Sequence, residues 1–433
     1  MQSVSRRKQI NNSEGKGINF ALAASLSALL LAGGAPALGQ TSKPLDLTGF
    51  LSLVETHNPE LAVARQQRPL ADADLLIARS YPNPDIDINA GPWRSRIGGA
   101  AGNATGVGIT QPIELPSVRA PRIGAAMAGI ASADALFDSI RLAIGYQARQ
   151  AYVDILRRQE DERIGRDNVD LLTQIRDRVL KRVEVGEAPR FELVRAESET
   201  LVAENALAAY RLRLDEARAT LRRLTANALP PQFELSESLP PVGDAPPLGA
   251  LQSEVVSAHP TLRGLEAERE RARRRLEQER ALSAPQPSLR WSDARDPEMR
   301  SSTIGLMLSI PLWNKREGQI AQAVAAFDLT TAQLEQQRVQ LLRELDSAYA
   351  RLSITRRQIQ TFEAGLLRSA EAALQAAEAA YRFGERSFLE VLDAQRTLRA
   401  VKVDYNQTRF ERIAAWLDIE RLRARNPFQV ETK

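Results

Sequence analysis

Residues able to do covalent or metal chemistry are few and scattered. The 433-residue chain has no cysteine and two histidines, His57 and His259. A thiolate nucleophile, a disulfide and a lipid-bearing cysteine are therefore excluded. Two imidazoles so far apart, with no thiol beside them, do not make up a zinc ligand set. Each lies beside a proline (His57-Asn58-Pro59 and His259-Pro260), the pattern of a helix N-terminus, where the N–H that proline lacks is not needed. No Ser/His/Asp grouping and no phosphate loop occurs, and Gly106-x-Gly108 falls inside an alternating, strand-like stretch. The Arg-rich run from Glu268 to Arg280 interleaves acids and bases at helical spacing, as a solvated helix face does. No catalytic constellation, cofactor motif or metal-ligand cluster is recognised in the sequence. The formal charge of +4 does not indicate nucleic acid, because Arg6, Arg7, Lys8 and Lys16 against Glu14 give residues 1–39 +3 of it.

With no reactive centre to position, the elements themselves carry the function. Residues 1–39 read as a secretory signal: a basic start, an apolar Ile18 to Leu31 stretch too short to cross a bilayer comfortably, and small residues around Ala37 and Gly39 for cleavage. An uncleaved anchor is the competing reading. No later segment looks apolar enough for a transmembrane helix.

The mature chain reads as a duplication. Val185-Gly186-Glu187 and Phe383-Gly384-Glu385 break two long helical patterns, and Gly186 to Gly384 and Ala196 to Ala394 share an offset of 198. The first repeat spans 40–229, a Pro-rich linker (Pro230-Pro231, Pro240-Pro241, Pro246-Pro247) spans 230–247, the second repeat spans 248–426, and 427–433 is a tail. Each repeat reads as a helix (Leu45 to Ser80 in the first), two strands, and a long helical hairpin. Asp85 to Ala90 and Thr105 to Gln111, then Ser288 to Ser292 and Thr303 to Ile310, alternate polar with apolar. Helix follows for roughly 100 Å at ~1.5 Å per residue. Its seams step by threes and fours: Leu193, Ala196, Thr200, Ala203, Leu207, Tyr210, Leu214, Ala217, Leu221, Leu224, and 198 later the same seam with Arg412 as a charged exception.

Alternating strands fit a soluble sandwich or a barrel in lipid. Their neighbours favour lipid, since each pair runs through proline into helix too long for a small sandwich domain. Four strands with lipid on one side cannot stand alone, because unpaired edges in hydrocarbon cost several kcal/mol per group. Closure needs about eight strands or more, so several copies must combine. A two-helix coiled-coil stalk remains open for the seams taken alone.

This layout, repeated twice, resembles the TolC-like outer-membrane factors, trimeric export ducts of Gram-negative bacteria, over nearly the whole mature chain. Gln111-Pro112-Ile113-Glu114-Leu115-Pro116-Ser117-Val118-Arg119 and Ile310-Pro311-Leu312-Trp313-Asn314-Lys315-Arg316-Glu317-Gly318 look like the heavy-metal-efflux, CzcC-type branch. The resemblance implies a mainly α fold with a membrane β-barrel: a homotrimeric 12-strand barrel continuous with a 12-helix α-barrel, set in outer-membrane lipid, with its helical part in the periplasm. It implies a periplasmic adaptor protein and an inner-membrane transporter as partners, and no nucleic acid, cofactor or metal. It implies a tip gate at Arg386, Tyr381 and Glu192, pore-lining carboxylates at Glu390 and Asp393, and adaptor docking at Val185, Gly186, Glu187, Phe383, Gly384 and Glu385. A ring of carboxylates about a symmetry axis would draw cations into a constriction. The implied function is a passive outer-membrane duct of a tripartite efflux system, for divalent metal cations or instead for drugs or secreted proteins. A periplasmic adaptor competes, but would show one hairpin and no strand pairs; so does a soluble exported enzyme, which would need a catalytic constellation.

Overall fold

Proline and glycine punctuate the chain where the pattern says they should, and more often at the start. In a computed structural model describing residues 44–98, 101–236, 242–243 and 245–429, the helix expected over Leu45 to Ser80 is three: α1 (Leu47–His57), α2 (Pro59–Arg65) and α3 (Gln67–Arg79). Pro59 holds Asn58 in an extended conformation. Pro69 has no N–H to offer the Arg65 carbonyl, so the helix restarts at Gln67. The expected signal segment lies outside the described residues, as do Pro240-Pro241 and the last four residues of the tail.

Next come β1 (Asp85–Arg94), β2 (Ala101–Pro112), α4 (Pro116–Glu184) and α5 (Arg190–Leu224), then α6 (Leu248–Ala258), α7 (Pro260–Ala281), β3 (Gln286–Arg295) and β4 (Arg300–Ser309). α8 (Glu317–Thr361), a π-helical turn (Phe362–Leu366), α9 (Leu367–Arg382) and α10 (Phe388–Leu422) complete the chain. α5 and α10 begin and end 198 residues apart. The repeats interlock rather than folding separately: β2 pairs with β3, and α4 packs against α7 and α10. Residues Lys43–Lys433 accordingly form one compact unit.

All four strands join one antiparallel sheet in the order β1-β2-β3-β4. The helices packed below keep that order: α3 against α4, α4 against α7, α7 against α8. Paired residues share a face, so Ile86, Ile109, Trp291 and Ile304 form one row. This face is bare, with Ile88 76% and Ile304 77% exposed. Leaving such a side chain in water forgoes about 1.5–3 kcal/mol each. The opposite face carries Asp87, whose carboxylate meets Arg290 at 3.1 Å, and Ser292 bonded to Thr303 at 2.9 Å. Gly108 makes this crossing possible, because a Cβ there would collide with the Asp87 carboxylate.

The expected α5 seam is buried from Ala196 to Leu224, with Leu193 and Tyr210 partly covered. α10 buries Val391, Leu398, Thr408, Ala415, Ile419 and Leu422 of its seam, and a second stripe that includes Leu392, Gln395, Phe410 and Leu417. The second stripe exists because α10 lies between α4 and α8/α9 and is covered on two sides, leaving a face with Glu390, Asp393, Asp404 and Glu411 exposed. On α8 the buried positions step by threes, fours and sevens from Leu334 to Ile359, then Leu366, seven residues on, is exposed and burial resumes at Ala370. The break at Phe362–Leu366 causes this: Gly365 (φ 168°) leaves the helical conformation, so the helix kinks there, and Ile359 to Ala370 takes one residue more than the seam's three-four-three steps. Polar pairs lock α4 to α10: Asn406 donates to Asp161 at 2.8 Å, and Gln395 bonds Asn168. α4 also holds one 18-residue window of mean hydropathy 1.3, contrary to expectation, and only 17% of that window is buried.

The described part of the linker packs back onto the first repeat. Leu235 bridges Leu45, and the Tyr152 hydroxyl donates to the carbonyls of Leu45 (3.1 Å) and Ser236 (3.0 Å).

Candidate functional site

Both hairpin tips are built by the same backbone device. Gly186 (φ 80°) and Gly384 (φ 73°) adopt the left-handed conformation that a side chain disfavours. Glu187 N–H donates to the Arg182 carbonyl (2.8 Å) and Gly186 N–H to that of Val183 (3.1 Å). In the second tip Glu385 donates to Ala380 (3.0 Å) and Gly384 to Tyr381 (3.1 Å). These paired bonds satisfy the last carbonyls of α4 and α9 and turn the chain sharply. Val185 and Phe383 stand exposed on the turns, beside Glu187 and Glu385, which are exposed too. The six residues expected to dock an adaptor thus form two similar knobs, each an apolar side chain next to a carboxylate.

The tips lie side by side, and their contacts converge on Tyr381. Its hydroxyl donates to Glu192 at 2.5 Å, joining the end of α9 to the start of α5. Burial, with the Glu192 hydrogen bond adding to it, pushes the Tyr381 phenol up to about 12. The ring packs on Phe388 (centroids 5.6 Å) and lies under the Arg182 guanidinium (4.6 Å), which also donates to the Tyr381 carbonyl at 3.4 Å. Two of the three expected gate residues therefore meet. The third, Arg386, bonds Glu390 at 2.9 Å within its own hairpin, and both side chains are exposed. Asp393 is exposed one turn further along α10. Glu390 and Asp393, three residues apart, share a helix face. Arg182 was not foreseen. Only the 198-residue offset, which sets the end of α4 beside the end of α9, could have drawn attention to it.

Neither histidine lies at the tips. His57 ends α1 with its ring near Thr56 and the Leu53 carbonyl, and the cap of α2 is Asn58 instead. His259 caps α7: its Nδ1 accepts from the Thr261 N–H (3.3 Å), and its buried Nε2 has no partner among the described residues. Burial, helped by the Arg421 charge, pushes this imidazole down to about 4, so it sits neutral. Among the described residues, no group of three or more His, Asp or Glu side chains could hold a metal ion.

A sheet with one bare apolar face, running into a helical layer open at both edges and ending in paired tips, is the wall segment of a membrane channel. The family model described as outer membrane efflux protein matches residues 50–227 and 251–424, and the chain belongs to that family. It is 27% identical over 368 residues to the cobalt-zinc-cadmium resistance protein CzcC of Cupriavidus metallidurans, covering 84% of this chain and 87% of the relative. It is 23% identical to the outer membrane protein TolC of Escherichia coli, over 87% and 84% of the two chains. The solved outer-membrane channel OprN shares the fold, with a TM-score of 0.78, 18% identity, and coverage of 88% and 91%. The family is one of channels, which form trimers and work with periplasmic adaptors and inner-membrane transporters.

Proposed function

We propose that three copies of this chain close into a 12-strand barrel and a 12-helix cylinder, forming a passive export duct across the outer membrane and the periplasm. Each copy would contribute the repeats 40–229 and 248–426. The observation that supports this reading most is the shared order of strands and helices, with β1 and α3 free at one edge and β4 and α8 free at the other. A layer open at both edges, bare and apolar on its sheet face, is completed by copies of itself in lipid. The polar face, with Asp87 and Arg290, then lines water.

In this reading the tip holds the duct shut. Tyr381 and Glu192 tie neighbouring helices, Arg182 braces the ring, and Arg386 stands on the surface where a neighbouring copy or an adaptor can compete for it. Opening separates these contacts, and cargo diffuses down its gradient. The knobs at Val185-Gly186-Glu187 and Phe383-Gly384-Glu385 serve as adaptor docking points.

The relative named for cobalt, zinc and cadmium resistance favours divalent cations as cargo. Glu390 and Asp393, one pair per copy, would concentrate them at the tip. Planar-bilayer recordings test both parts. The wild type is expected to form cation-selective pores, and Glu390→Gln with Asp393→Asn to shift the reversal potential toward zero under a salt gradient. An unshifted potential removes the carboxylates from the conduction path; absence of pores removes the duct.

A further inference from the structure

The far rim of the sheet carries charge that a duct does not need. Side chains alternate between faces along a strand, and directly paired residues share one. The row Ala90, Thr105, Arg295 and Arg300 is continuous across all four strands. It lies four residues beyond the row Ile86, Ile109, Trp291 and Ile304, so it belongs to the same apolar face. Arg94, paired with Ala101, falls on that face by the same count. Three guanidinium groups therefore end the apolar face on the side away from the helices.

All three arginines are exposed. Arg300 reaches Asp293 at 3.3 Å, while Arg94 and Arg295 have no ion-pair partner among the described residues. Arg96 in the β1–β2 loop adds a fourth positive charge nearby. The acids at this rim are Asp293, Asp296 and Glu298, and Asp296 already accepts the N–H groups of Glu298 (2.8 Å) and Met299 (2.9 Å). The other end of the same face, at Gln111, Leu289, Leu306, Pro287 and Leu308, is uncharged. The asymmetry distinguishes one leaflet from the other.

We propose that Arg94, Arg295 and Arg300 bind the phosphate groups of a phosphorylated glycolipid in the outer leaflet, held against the barrel as a bound lipid. This rests on the barrel reading above. Guanidinium suits the task because it is planar, weakly hydrated, and matches phosphate in bidentate fashion. Its aliphatic stem can lie along the hydrocarbon edge while the head reaches the phosphate layer. A phosphomonoester on a sugar carries more than one negative charge near neutral pH. It also lacks the attached ammonium that cancels charge in zwitterionic lipids.

The test compares the wild type with R94Q/R295Q/R300Q in three bilayers: phosphatidylcholine alone, phosphatidylcholine with diphosphorylated lipid A, and phosphatidylcholine with phosphatidylglycerol at equal surface charge. Lipid retained after detergent extraction is counted by native mass spectrometry, and conductance is recorded in each bilayer. The wild type is expected to retain lipid A over phosphatidylglycerol, and the variant to retain at least about tenfold less of it, three surface arginines being removed. Unchanged conductance of the variant shows that it is folded. Equal retention by both proteins, or equal retention of the two anionic lipids by the wild type, overturns the site while leaving the barrel standing. Absence of conductance from both proteins in every bilayer overturns the barrel, and the lipid site with it.

Discussion

Replacing Tyr381 with Phe takes one oxygen from the tip and leaves the ring on Phe388 and under Arg182. What is lost is the 2.5 Å bond to Glu192. A hydrogen bond to a charged acceptor contributes ~1.5–3 kcal/mol, and the lower figure applies here because water reaches the partly buried pair. If the bond exists only in the shut tip, ~1.5 kcal/mol corresponds to roughly a tenfold fall in the shut-to-open ratio per copy. Three copies opening together would multiply that to about a thousandfold. Single-channel recordings of the wild type, Tyr381→Phe, Glu192→Gln and the double variant measure it as open probability. Both single variants should raise it, and the double should raise it no further than the stronger single, as groups sharing one bond do. The phenol's pKa, raised above its ordinary 10 to about 12, means that its contribution is intact below pH 10 and lost between about 10 and 12. An unchanged open probability for Tyr381→Phe across neutral pH would refute the assignment of this bond to the gate.

Three further outcomes follow from the same structure. His259 has a pKa lowered from 6.5 to about 4, so it stabilises the fold above pH 6.5 and loses that contribution as pH falls toward 4, at most about 3 kcal/mol. His259→Asn, which copies the Asn58 cap of the first repeat, should flatten the acid limb of a thermal-unfolding profile between those pH values; an unaltered limb would place the sensitivity elsewhere. Gly108→Val should push the Asp87 carboxylate from Arg290 and lower the unfolding midpoint, overpacking of this kind costing ~1–3 kcal/mol. An unshifted midpoint would show that the strands part freely there. Gly384→Val forces a β-branched residue into the left-handed turn at ~1–2 kcal/mol. It should speed proteolysis at the second tip and leave the first unaffected, and equal cleavage rates at both tips would count against it.

Much of this was legible in the sequence because backbone requirements leave strong marks. Gly186 and Gly384 mark the tips because only a residue without a side chain turns there cheaply, and the strict α5 seam reads as burial because α5 packs against one neighbour. The second buried stripe of α10 was not legible, since a stripe shows only when the remaining faces are polar, and α10 is covered on two sides. The π-turn at Phe362–Leu366 was equally hidden. Its inserted residue keeps the composition of the helix and changes only the phase, so Leu366, a heptad beyond the buried Ile359, is exposed. At the tips, Tyr381 and Glu192 were placed by resemblance and do meet. Arg182 was missed because its role depends on which helix ends beside which, a matter of lateral packing that a linear pattern does not encode. Arg386 was placed by the same resemblance, and in this chain it pairs with Glu390 of its own hairpin rather than with Tyr381 or Glu192.

The cysteine-free chain allows a direct test of the central claim, that the sheet stands in a bilayer with its bare face to lipid. Single cysteines at Ile88 and at Asp87, adjacent on β1 and on opposite faces, can each carry a fluorophore in proteoliposomes. The label at Ile88 should be quenched by brominated acyl chains and shielded from iodide, and the label at Asp87 should respond the other way. Equal quenching of both by iodide, or quenching of neither by brominated lipid, would contradict the account.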